Sequence, residues 1–221
     1  MYLDHTGFRL NAMADDFHKP TQYSNDKFDT YVGGADPAQI MRQASETAHA
    51  LVSRGRENTD PAVLARLVAY TDEHGIDALA ELWARSSPRS LPGALWRIYL
   101  MRVLIRQDPA GIALLFQRGT EVLETIDAVI AGATLPTDPA GITELADEIL
   151  RGLYVGDFAI ALDRAAAFCR ITAAGATSVA DDADPTNPGR ASDLTTRAAR
   201  LAQTAEEFTA CARLHRSAQL E

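Results

Sequence analysis

The residues that come nearest to chemistry in this sequence are two pairs of carboxylates, Glu121-xx-Glu124 and Glu144-xx-Asp147, separated by 19 residues, with Glu148 adjoining the second. Acidic side chains three apart share one face of a helix, so each pair could act as a unit. At 100° per residue, though, a helix through the first pair turns Val122, Leu123, Ile126, Val129 and Ile130 inward and Glu121, Glu124 and Asp127 outward. The second pair repeats the pattern, with Ile142, Leu145, Ala146, Ile149 and Leu150 inward and Glu144, Asp147 and Glu148 outward. Carboxylates that share an ion must converge between helices, and these are expected to face water. Glu46-xx-His49 has the spacing of half a carboxylate-bridged di-iron site, but no second Glu-xx-His completes it, so both read as surface residues. His74, beside Gly75, suits the negative end of a helix, and His5 and His18 lack metal-ligand spacing. Cys169 and Cys211 stand in alanine-rich helical pattern without CxxC or Cys/His spacing and read as small buried hydrophobes.

The carboxylate set resembles the motif of the all-α nucleoside triphosphate pyrophosphatases of the MazG family. That resemblance implies Mg²⁺ held between paired helices by Glu121, Glu124, Glu144 and Asp147, with Arg102 or Arg106 on the phosphates. Thr120 stands where the family carries a further glutamate.

Arg102 and Arg106 share a helix face near Tyr99, in a segment, Leu91 to Gln107, that is apolar nearly all round and is expected to be a central helix. A guanidinium near a core needs a partner, either a carboxylate or a bound anion such as phosphate. Residues 85–118 carry six arginines and one acid, whereas 119–150 carry seven carboxylates and no base, so the adjacent blocks are expected to pair.

The elements that would position these groups are helices. Asp-Pro-Ala recurs at 36–38, 60–62, 108–110 and 138–140. In each, aspartate caps free backbone N–H groups, and proline fits the first turn because its missing N–H had no partner there. Gly55, Gly75, Gly119, Gly132 and Gly175 read as helix ends. These signals predict an all-α fold, a multi-helix bundle or stacked helix pairs, with helices at 37–54, 61–74, 77–85, 91–107, 109–118, 120–131, 139–153, 157–174 and 192–217. The cassette spacing is irregular, which argues for punctuation rather than a strict repeat, although Gly156 to Phe168 is similar to part of a tetratricopeptide turn and helix. Residues 176–192 are polar and read as a mobile loop. The last helix sets Leu194, Ala198, Leu201, Ala205, Phe208, Ala212 and His215 at alternating steps of four and three, a seam that could pack in its own domain or on a second copy.

Residues 1–35 form a separate N-terminal arm, followed by one helical domain over 36–221. The arm holds six of the 13 Phe and Tyr residues without helical periodicity and is expected to dock on helical surface, in the same chain or across a homodimer. Gly33-Gly34 would supply the bend into the first helix.

Composition narrows the function classes. A net charge of −9 repels polyanions, which argues against nucleic acid, and neither a signal sequence nor a run of some 18 apolar residues is present, so the cytoplasm is the expected compartment. The hydrophobic fraction of 47% includes 39 alanines, so packing must rely on close approach of helices. The 19 arginines against two lysines reflect high-GC coding. The stretches Ala94 to Ala110 and Gly156 to Gly175 resemble an all-helical family of uncharacterised proteins from high-GC actinobacteria, a likeness over residues 60–221. It implies a cytoplasmic helical protein and brings no activity, cofactor or site with it. The preferred reading is a non-catalytic interaction or scaffold protein without cofactor. The alternatives are the Mg²⁺-dependent hydrolase and a module binding a small anion at Arg102 and Arg106.

Overall fold

The computed structural model describes residues 36–57, 82–132 and 138–221. The arm, the helix at 61–74, His74, Gly75, Asp60-Pro61-Ala62 and the start of the helix at 77–85 lie outside them. The chain divides into Met1–Asp36 and Pro37–Glu221, and the helices described all belong to the second unit.

The protein is all-α. Its described helices are α1 (Pro37–Glu57), α2 (Leu91–Gln107), α3 (Pro109–Val122), α4 (Asp127–Ala131), α5 (Pro139–Val155), α6 (Phe158–Ala183) and α7 (Pro188–Arg216). Two of the cassettes work as their chemistry requires: Asp108 accepts from the Gly111 N–H at 2.8 Å and Asp138 from the Gly141 N–H at 2.6 Å. Asp157 caps α6 and Asn187 caps α7 in the same way.

Among the described helices α2 is central as expected, packing on α1, α3, α5 and α7, and α6 is more so. α3, α4, α5 and α7 all pack on it, and its alanines at 161, 165, 166, 167, 173, 176 and 180 let them come close. α2 buries Leu95, Ile98, Met101 and Ile105 but leaves Leu100 exposed and Leu104 half-buried. Its all-round apolarity therefore exceeds what the core uses.

Two expectations about punctuation fail for one reason. Gly119 and Gly175 are not helix ends but lie inside α3 and α6 where those helices cross. A Cβ on Gly119 would sit 1.9 Å from the Ile171 carbonyl oxygen, and one on Gly175 would sit 1.8 Å from that of Leu115. Gly55 likewise falls within α1. Gly132 does end a helix, in the left-handed conformation with φ 78°. The polar stretch 176–192 is mostly helical. α6 continues to Ala183 because Ala176 and Ala180 still face the core while Asp181 and Asp182 face water, and Asn187-Pro188 then starts α7.

The seam of α7 is filled within the chain. Ala205, Phe208, Cys211 and Ala212 belong to the main core, Ala198 packs with Leu115 and Ala176, and His215 lies against the Phe158 ring at 4.9 Å.

Candidate functional site

The segment expected as one helix over 120–131 is two. α3 ends at Val122, residues 123–126 form a turn, and α4 restarts at Asp127, where the Thr125 hydroxyl donates to the Asp127 carboxylate at 2.9 Å. The spacing Glu121-xx-Glu124 therefore does not correspond to one helix face. Glu121 lies 3.5 Å from Arg118, and Glu124 and Glu144 are exposed. Asp147 is turned to α2, where it accepts from Arg102 Nε at 2.6 Å and Arg106 Nη2 at 3.3 Å. Among the described residues no three His, Cys, Asp or Glu side chains are grouped to hold a metal ion. Glu46 and His49 are both exposed on α1.

Arg102 is 1% exposed, so its pairing with Asp147 neutralises a guanidinium set against the core. The acidic block turns to α6 as well: Glu148 meets Arg164 at 2.8 Å, and Asp127 accepts from Arg170 Nε at 3.0 Å. Burial pushes the Asp127 carboxyl up, but hydrogen bonds from Arg170 and Thr125, with the Arg170 charge, outweigh it and hold it below the usual range. These carboxylates join helices together.

The cysteines are equally occupied with packing. Both are buried free thiols. Burial raises Cys169 to about 12 against the pull of Arg170, and Cys211 to about 11 against that of Arg97. Since the thiolate is the nucleophile, neither is poised for covalent chemistry. Iodoacetamide at neutral pH is expected to leave both unmodified in the folded protein and to label both after unfolding in urea. Rapid labelling of the native chain, read by mass spectrometry, would contradict this assignment.

What sequence reasoning missed is the surface made by the broken helix. Val122, Ile126, Val129 and Ile130, assigned to the inward face of a continuous helix, are 46%, 71%, 80% and 36% exposed. The turn rotates α4 relative to α3, so the apolar stripe ends up outside, and Asp127 and Ala131 go inside. The available signal was Thr125 two residues before Asp127, a local hydrogen-bonding pair that favours a helix restart. Exposed Glu121 and Glu124 lie within the same corner. Single exposed apolar residues are ordinary, whereas a cluster of four in nine residues is the kind of patch that marks an interaction surface.

No described helix is long and apolar enough to cross a membrane. Comparison with protein-family models, with curated proteins and with solved structures finds no match to this chain.

Proposed function

We propose that this chain is a non-catalytic interaction protein of the cytoplasm that binds a protein partner through the α3–α4 corner. The exposed cluster Val122, Ile126, Val129 and Ile130 carries the reading. The carboxylates and arginines that suggested a hydrolase or an anion site are engaged instead in helix-to-helix ion pairs or stand apart. Free thiols at both cysteines suit a reducing compartment.

Charge selects the partner. Glu121 and Glu124 flank the apolar side chains and the whole molecule carries −9, so the complementary ligand is an amphipathic segment with basic residues beside its apolar face. A second copy would set like charges against each other.

The test uses labelled amphipathic helical peptides, one of leucine and lysine and one of leucine and glutamate, read by fluorescence anisotropy. The basic peptide is expected to bind and the acidic one not. Ile126→Ser with Val129→Ser should weaken binding about tenfold or more while leaving the circular dichroism spectrum unchanged, since exposed substitutions cost about 0.5 kcal/mol or less. Equal binding of both peptides, or an unaffected double variant, would refute the corner as the docking surface.

A further inference from the structure

Beyond that reading, the unused apolar face of α2 borders a cleft of about 590 Å³ against α7, within the usual range for small-molecule sites. Its floor is Met101, Ile112, Phe168 and Leu201, and Leu100 and Leu104 form the α2 wall. The opposite wall comes from α7, whose face toward the cleft carries Asp193, Thr196, Arg197, Arg200 and Thr204. The cleft stays open because α7 has no large apolar side chain between Leu194 and Leu201 to fill the space beside α2.

The two walls differ in chemistry. Leu100 is 43% exposed on a helix that is apolar nearly all round. Across from it, Arg197 and Arg200 are three apart on α7, and neither forms an ion pair among the described residues, in a protein with 30 acidic residues. Arg97 differs, since Glu207 and the Gly93 carbonyl already hold it. Asp193 contributes the cleft's carboxylate and offsets one of the two remaining positive charges. Neighbouring guanidiniums repel one another, and an oxyanion that accepts from both relieves that repulsion.

We infer that this cleft binds a single-chain amphiphile, with an anionic carboxylate or phosphate head on Arg197 and Arg200 and an alkyl tail along Leu100, Met101, Leu104 and Phe168. The polar requirement is met at one wall and the apolar requirement at the other. A flat aromatic or a polyanion would leave one wall unsatisfied. Leucine and methionine side chains adapt to a flexible chain.

The test is isothermal titration calorimetry of the full chain with dodecanoate, dodecyl phosphate and dodecan-1-ol, each kept below its aggregation concentration. One-site binding is expected for at least one anion, and the tighter of the two identifies the head group. The uncharged alcohol should bind roughly ten- to hundredfold more weakly than that anion, the difference a charge-assisted hydrogen bond makes. Arg197→Gln with Arg200→Gln should reduce the anion to the level of the alcohol, and Leu100→Asn should weaken all three ligands. The comparison of alcohol with anion needs no variant and stands even where a substitution harms folding. Binding of both anions weaker than about 1 mM, alcohol as tight as anion, or a folded arginine variant with unchanged affinity would overturn the assignment.

Discussion

Gly175→Ala is expected to destabilise the protein by about 2–4 kcal/mol, a large effect for one methyl group. The added Cβ would lie 1.8 Å from the Leu115 carbonyl oxygen and 2.8 Å from the Gly119 backbone nitrogen. Both neighbours are backbone atoms of α3, so no side chain can rotate away and the helices must part. Parting them loosens the Phe116–Phe168 stack, whose centroids are 5.4 Å apart, and the small cluster of Leu115, Ala176 and Ala198. Alanine's better helix propensity offsets only about 1 kcal/mol. Gly189→Ala in the first turn of α7 is the control, since its Cβ would meet only Asn187 Oδ1 at 3.7 Å, an ordinary contact. Urea titrations followed by circular dichroism should show a clear drop in midpoint for Gly175→Ala and none for Gly189→Ala. Matching midpoints for the two variants would mean that the crossing is not tight.

The second large effect concerns the buried charge. Asp147→Ala removes the carboxylate that meets Arg102 at 2.6 Å and Arg106 at 3.3 Å. Breaking a fully buried pair costs about 3–5 kcal/mol, and because the Asp147 side chain keeps a relative exposure of 26%, about 2–4 kcal/mol is expected here. Part of that cost arises because Arg102, 1% exposed, loses a carboxylate partner where water cannot replace it. Arg102→Met removes that cation, so the double variant Arg102→Met with Asp147→Ala should be more stable than Asp147→Ala alone. A double-mutant cycle in urea measures the coupling directly. Strictly additive costs would show that the two side chains are neighbours without energetic dependence.

The fold class was readable because its signals are local. The aspartates before Pro109 and Pro139 each cap the helix that follows, and the bounds 91–107 expected for α2 are those observed. Residues facing inward on α5 were legible for the same reason, since Ile142, Leu145, Ala146, Ile149 and Leu150 keep one helical period and are buried. The errors arose where a residue's role depends on a distant neighbour. Gly119 and Gly175 look like terminators along the chain, and only the crossing of α3 over α6 reveals them as contact points. Thr120 through Ala131 has one period and two axes, so a single helical wheel misplaced Val122, Ile126, Asp127, Val129 and Ile130, whereas Glu121 and Glu124 face water as expected. Arg102 and Asp147 meet across 45 positions of sequence, as the opposite charges of the blocks 85–118 and 119–150 predict, although spacing alone does not single out Asp147 within its block.

The placement of α6 also bears on how the chain is made. Synthesis runs from the N-terminus at about 5–20 residues per second, and α1 to α5 emerge before the helix on which α3, α4 and α5 pack. For several seconds their apolar faces lack a template, so the nascent chain passes through a state that chaperones would bind. α6 and α7 face a different problem. The turn between Ala183 and Pro188 is short, so the contacts beside it close with little entropy cost once both helices have emerged, and those farther along, out to Asp163 with Arg216 across 53 positions, can zip up behind them. Assembly is then expected to run backward along the chain, with the last-made hairpin as the surface on which α3, α4 and α5 condense.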